Sequence, residues 1–391
     1  MGLRFLTAGE SHGPALTAIV EGLPAGVPVE RSSIDRELRR RMGGYGRGGR
    51  MAIEADAVEI LGGVRHGRTL GAPVSLLIRN RDHANWAGVM ATEGSPPPAA
   101  AERAVTRPRP GHADLAGALK YGTHDARDVL ERASARETAA RVAAGALAKA
   151  LLGAVAVAVT SRTVAVGSAS APPDEGEDLD ALFALPDDLP MRSPRTSTIE
   201  AMIRAVDAAR KAGDSVGGAF EVVARGVPPG LGSHVHWDRR LDGRLGGALL
   251  SIQAVKAVAI GGGLEVAAGS GREAHDPIGY DRDRGRFTRA SNRAGGIEGG
   301  MTNGEPVRVT GWLKPLATLP RALPSVDLVT KESFVADVER TDTIPIVAAG
   351  VVAEAMIAIV LADALLEKLG GDSVAEVQAN LRGYESRLKS Y

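Results

Sequence analysis

The strongest constraint on the fold is the run 347–366, VAAGVVAEAMIAIVLADALL, in which the only charged residues are Glu354 and Asp363. A helix that is apolar around its whole circumference belongs inside a core or across a bilayer. Two carboxylates within the run would be costly in hydrocarbon, so a buried core helix is expected. It should start near Ala349 and stop at Gly370-Gly371, a helix-ending pair. The run 134–152, SARETAARVAAGALAKALL, shares the property, since its alanines, Val142, Leu147 and Leu151 leave few polar positions. Its opening Ser134-Ala135-Arg136-Glu137 fits a capping box, in which the serine hydroxyl accepts from the Glu137 N–H and the glutamate reaches back.

More polar, amphipathic helices are expected over 199–212 and Val374–Lys389, and strands over 52–61, 74–78 and 307–312. The strand–helix alternation of a doubly wound sheet is absent, so the expected class is α+β. A length of 391 residues suits one large domain spanning 1–391. The acidic, proline-broken stretch 170–190 reads as a solvated surface excursion. Loops at 39–50, 93–111 and 271–296 are candidate flaps.

Several function classes are disfavoured at once. The chain has no cysteine, which removes disulfides, zinc-thiolate sites, iron–sulfur clusters and thiol nucleophiles. Its 47 basic residues balance 47 acidic ones, which argues against a protein that coats nucleic acid. Three Trp, five Tyr and five Phe are too few for a base-stacking platform. The N-terminus lacks a signal-peptide pattern, so a cytoplasmic protein with no membrane association is expected.

Three motifs fail their context. Gly9-Glu10-Ser11-His12-Gly13 matches a hydrolase nucleophile elbow, which needs a strand, a sharp turn at the serine and then a helix; the run 14–24 reads instead as a second strand ending in a turn. Gly44-Tyr45-Gly46-Arg47-Gly48-Gly49 matches a dinucleotide fingerprint, but a charged helix-like run precedes it and a strand-like run comes after it. His234 and His236 could share a strand face, yet no third ligand is in view, and no metal is expected.

Other stretches survive. Arginines at 39, 40, 41, 47 and 50 stand among glycines, with no acid between Glu37 and Glu54. They read either as a solvated or RNA-binding face, or as a glycine-mobile loop closing guanidinium forks on a multiply anionic small ligand. In Arg107-Pro108-Arg109-Pro110-Gly111-His112-Ala113-Asp114, prolines and a glycine present a histidine among arginines. Arg132 and Arg136 flank a helix start, which favours anions. The glycines of 295–304 offer backbone N–H groups to a flat or phosphorylated ligand, and Arg340-Thr341-Asp342 precedes the last long helix. A flavin mononucleotide with a phosphorylated, carboxylated substrate would use all of these.

Five blocks, in this order, resemble chorismate synthase of the bacterial, monofunctional branch: GESHG, RPGHAD, SARETAARVAAGA, NRAGGIEGGMTNG and the Arg340-Thr341-Asp342 neighbourhood. The resemblance spans nearly the whole chain. Leu115 and Ala133 depart from it, at positions where an aromatic and a serine are common. It implies an anti-1,4-elimination of phosphate from 5-enolpyruvylshikimate 3-phosphate, giving chorismate, with reduced FMN required and no net redox change. It implies catalytic roles for His112 (proton to the departing phosphate), His12 (protonation at flavin and substrate) and Asp342 (proton removal through flavin N5). An imidazole, with a reference pKa of about 6.5, suits such work. Arg41, Arg47, Arg50, Arg136 and Arg340 would hold substrate anions. The FMN contacts would be Arg132, Ala133, Ser134, Gln253, Ala254, Gly299, Lys314, Pro315, Leu316, Ala317, Thr318 and Arg340. Arg41 and Arg47 also match positions linked to NADP binding, with NADPH an indirect reductant. The implied architecture is a β-α-β sandwich with long apolar helices between antiparallel sheets, assembled as a homotetramer and supplied by an external flavin reductase. The competing readings are a serine hydrolase built on Ser11 and an RNA-binding protein using 39–50.

Overall fold

The computed structural model describes residues 2–48, 55–171, 178–339 and 341–391. Arg50, Arg340, the start of the strand expected over 52–61 and residues 172–177 of the 170–190 excursion lie outside them.

In chain order the main elements are β1 (Arg4–Ala8), β2 (Ala15–Glu21), α1 (Arg31–Met42), β3 (Val58–Gly62), β4 (Val74–Arg79), α2 (Asp114–Tyr121), α3 (Arg127–Ala133), α4 (Thr138–Gly153), β5 (Ala158–Val166), β6 (Ala169–Ser170), α5 (Thr196–Lys211), β7 (Gly218–Arg225), α6 (Leu241–Leu250), β8 (Val255–Ile260), β9 (Val307–Leu313), α7 (Ile346–Leu369) and α8 (Val374–Lys389). They form a mixed α and β fold with two larger antiparallel sheets, ordered β1-β2-β4-β3 and β8-β9-β7-β5-β6, beside four two-stranded ones among the described residues.

In the first sheet alternation decides which face is covered. Leu16, Ala18 and Val20 of β2, with Val74, Leu76 and Ile78 of β4, are buried, while Ile19 between them is exposed. Their covered face meets α4, which also packs on α7; α7 in turn packs on β5 and β7, and α1 wedges against both helices. The two helices approach closely where Gly145 faces Ala355, since a Cβ at Gly145 would lie 2.5 Å from the Ala355 Cα. Helix α7 is the described helix long and apolar enough to cross a membrane, and it is almost entirely buried inside the protein.

Glu354 is fully buried in α7, and its charge is met from three other elements. Arg40 of α1 donates at 2.7 and 2.8 Å, Lys149 of α4 at 2.5 Å and Ser161 of β5 at 2.6 Å. Burial alone would raise its pKa, but Arg40 and Lys149 outweigh that and hold the carboxyl well below the usual range.

Some local expectations need correction. Helix α7 begins at Ile346, ahead of Ala349. Ser134 caps the short 3-10 turn Ala135–Glu137 through the Arg136 N–H at 3.3 Å rather than the Glu137 N–H. The Glu137 carboxylate is engaged elsewhere, by Thr7 at 2.8 Å and Arg141 at 2.9 Å. The end of the 170–190 excursion is not all solvated: Leu182 is buried, and Asp187 takes Arg36 at 2.6 Å and Arg40 at 3.0 Å.

Candidate active site

A cavity of about 610 Å³ opens where the β1–β2 turn, the end of α1, the α3–α4 junction, the loop before β8, the segment after β9 and the start of α7 converge. That is ample for a cofactor-sized ligand. His12, His112 and Asp342 all line it. So do Arg41, Arg47, Arg109, Arg136, Lys256 and Lys314, against the two carboxylates of Glu339 and Asp342. The excess of cationic groups suits a ligand carrying several negative charges.

The arginines are fixed by buried acids. Asp56 has no exposed side-chain surface and bridges Arg41 at 2.8 Å and Arg136 at 2.5 Å. Burial would raise its pKa, but the two guanidiniums outweigh that and hold the carboxyl low. Arg136 also donates to Asn80 at 2.9 Å. Arg47 pairs with Asp342 at 2.7 Å, and the other oxygen of Asp342 accepts from the Gly48 N–H at 2.6 Å. That approach needs glycine, because a Cβ at position 48 would collide with the Thr341 carbonyl. In the described part of the 39–50 stretch, Arg40 and Arg41 are buried and Arg47 turns onto Asp342, which leaves Arg39 as the exposed arginine there, so a solvent-facing basic patch and the RNA-binding reading are not supported.

Each histidine rests on a buried acid. His12 directs Nδ1 to Glu131 at 2.7 Å and stacks on Trp86 at 3.9 Å. His112 contacts Asp114, which also takes the Arg109 guanidinium at 2.8 and 3.0 Å; Arg109 then reaches Thr318 at 2.8 Å. Burial opposes ionisation of Asp114, yet the hydrogen bonds from His112 and Arg109 hold its pKa far below the ordinary carboxylate value. Gly111, at φ +81°, makes the turn that presents His112.

Ser11 donates to Ser134 at 3.0 Å, its N–H bonds the Glu131 carbonyl at 3.0 Å, and the turn leads into strand β2 rather than a helix. The nucleophile-elbow geometry is therefore absent, and the hydrolase reading fails.

The expected flavin contacts divide. Ala133, Ser134, Gln253, Ala254, Lys314, Leu316, Ala317 and Thr318 line the cavity. Arg132 and Pro315 do not: the Arg132 guanidinium is spent on the Thr7 and Gly9 carbonyls, at 2.9 and 3.2 Å. Gly299 sits beside Gly300, whose carbonyl receives the first N–H of α6, while the cavity touches the opposite end of that helix, about 15 Å away. The lining that remains suits a flat heteroaromatic ring. Ile252, Val255, Leu313, Leu316, Ala348 and Val352 give it an apolar wall. Beside them the Gln253 Oε1 is buried with no hydrogen-bond partner among the described residues, an acceptor suited to a ring N–H. Ala254 is held at φ +69°, the kind of strained backbone that gathers at ligand sites.

Asp56, Arg109, Asp114 and Glu131 were not foreseen as site residues. Asp114 lies two residues after His112, which is a local signal; Glu131 and Asp56 are joined to the site by contacts between distant parts of the chain.

A family model for chorismate synthase matches residues 3–366. The chain is 56% identical over 389 residues to the chorismate synthase of Symbiobacterium thermophilum, covering 99% of both chains. It is 54% identical to that of Solibacter usitatus over 389 residues, covering 100% of both. A crystal structure of a chorismate synthase superposes with a TM-score of 0.78 at 41% identity, covering 100% of this chain and 99% of that one.

Proposed function

Because this chain belongs to the chorismate synthase family, a family of carbon–oxygen lyases, we propose that the cavity eliminates phosphate from 5-enolpyruvylshikimate 3-phosphate to give chorismate. In that anti-1,4-elimination one ring C–H bond and one C–O bond to phosphate break, one C=C bond forms, and there is no net redox change. The observation that carries the reading is the convergence of two acid-backed imidazoles, the Asp342 carboxylate and four arginines among the described residues on one cavity.

Arg41, Arg47 and Arg136 hold the substrate's phosphate and carboxylates, and Arg109 and Lys314 add to the same field. Arg50 and Arg340, outside the described residues, belong to the same proposal. His112, with Nδ1 against Asp114, delivers a proton from Nε2 to the departing phosphate. His12 manages proton exchange at Nε2 on its side of the cavity. Asp342, held in place by Arg47 and the Gly48 N–H, assists removal of the proton lost from the ring carbon. Gln253, Ala254, Ala133, Ser134 and the cavity-lining residues of 314–318 would hold FMN, with Gln253 Oε1 accepting a ring N–H. Reduced FMN, when bound, would supply the transient electron donation that helps expel phosphate from an unactivated C–H system.

The layer order of sheet, helices and sheet supports the β-α-β sandwich, within one domain. We further propose a cytoplasmic homotetramer whose FMN is reduced by an external reductase, with NADPH as the distant electron source. The test is anaerobic phosphate release from the substrate with dithionite-reduced FMN. His12→Ala and His112→Ala should each lower it far more than Ser11→Ala does. Full turnover by the purified protein on NADPH and oxidised FMN would refute the external supply, and release unaffected by both histidine variants would refute the site.

A further inference from the structure

We propose that Glu131 is the positioning residue for His12: it holds the imidazole as the Nδ1–H tautomer and so reserves Nε2 for proton exchange in the cavity. This rests on the reading of His12 as a proton-transfer group. Both carboxylate oxygens of Glu131 serve this one histidine. Oε2 accepts the His12 backbone N–H at 2.7 Å, and Oε1 meets Nδ1 at 2.7 Å. The Glu131 side chain has no exposed surface, so no water competes for it. An ionised carboxylate can only accept, which obliges Nδ1 to carry the hydrogen and leaves the lone pair on Nε2.

The acid is kept ionised. Burial would raise its pKa, but the bonds from His12 and the nearby Arg127, 3.6 Å away, hold it below the usual range. The ring plane is set independently by Trp86, stacked at 21°. The His12 carbonyl is also bonded, by His83 Nδ1 at 2.9 Å. Nor does the fold need the Nδ1 contact. Helix α3 is tied to the β1–β2 turn by the Ser11 N–H on the Glu131 carbonyl and by Arg132 on the Thr7 and Gly9 carbonyls. A purely structural Glu131 would need only its Oε2 bond.

Glu131→Gln separates the two roles. The amide oxygen can still accept the His12 N–H, while the amide nitrogen can only donate, which turns Nδ1 into an acceptor and sends the ring hydrogen to Nε2. In protein labelled with 15N-histidine, the His12 ring signals, assigned by their loss in His12→Ala, should show the Nδ1–H pattern in the wild type and the Nε2–H pattern in E131Q. With reduced FMN and substrate, kcat of E131Q should fall on the order of 10²- to 10⁴-fold, the worth of one positioned proton-transfer group, with KM changed less than about threefold. If E131Q does not fold, Glu131→Asp carries the test. One methylene shorter, it cannot reach both donors, and mixed tautomers with at least a tenfold loss in kcat are expected. A wild-type Nε2–H ring, an unchanged tautomer in E131Q, or an inverted tautomer with unchanged kcat would each overturn the proposal. Full turnover by His12→Ala would instead overturn the role of His12, leaving the tautomer result to stand on the spectra.

Discussion

Replacing Glu354 by Gln removes one negative charge from the interior without changing the shape of α7. In the native chain this fully buried carboxylate receives two bonds from Arg40, one from Lys149 and one from Ser161. Glutamine keeps one acceptor oxygen, and its NH2 then faces donors. Arg40 and Lys149 retain Glu37, at 2.8 and 2.5 Å, so they are not stranded, which places the loss at the lower end for a broken buried pair, about 3 kcal/mol. With about 2.1 cal/mol/K of unfolding entropy per residue over 391 residues, that corresponds to a melting temperature lower by about 4 °C. Urea titration should show a lower midpoint with an unchanged slope. The pH dependence comes from the depressed native pKa. The stabilisation from Glu354 is complete above the unfolded glutamate value, near pH 4.3, and is lost as pH falls through the lower native value. The gap between wild type and variant should therefore be constant from pH 8 to about pH 5 and shrink only at stronger acidity. A gap below about 0.5 kcal/mol at pH 7, or one that closes on the alkaline side, would refute this account of the ion cluster.

Three further outcomes are expected. Gly145→Ala should cost about 1–3 kcal/mol in urea titration, because ordinary carbon contacts of about 3.5–4.0 Å require α4 and α7 to separate by roughly 1 Å. Gly48→Ala should lower kcat/KM at least about tenfold, since relieving the Thr341 clash breaks the N–H bond that orients Asp342; steady-state kinetics with reduced FMN checks it. Asp114→Asn should destabilise by about 3 kcal/mol and slow phosphate release. Because the Asp114 pKa is depressed in the native state, its share of stability is present above about pH 4 and fades as pH falls further, which chemical denaturation across pH would reveal.

The core helices were legible because α4 and α7 are apolar on every face, a pattern few other structures can use. Helix α8 was legible to its ends, where the Ser373–Glu376 capping box marks the start. Strand β7 was not, since its residues are buried on both faces and Glu221 within it is neutralised by Arg162 and Arg308. Of the glycine-framed histidines and the loop arginines, His12, His112, Arg41 and Arg47 line the cavity, because rigid turns around charged residues carry a local signature, whereas Arg39 stays exposed and Arg40 is drawn into the core. Their supporting acids did not announce themselves. His12 and Glu131 are 119 positions apart, and nothing near residue 131 encodes that contact. Arg40 and Arg41 illustrate the same limit, for adjacent, identical residues serve different acids: one enters the Glu354 cluster and the other meets Asp56 at the cavity.

The place of α7 bears on how the molecule is made. It is the last of the central helices in the chain, yet α4, β5 and β7 all rest on it. On the ribosome, everything up to residue 345 emerges before its main internal support exists. Nascent protein must wait with the apolar sides of α4 and the second sheet uncovered, a state that favours capture by chaperones. Premature termination ahead of Ile346 should leave an insoluble fragment, rather than a smaller enzyme.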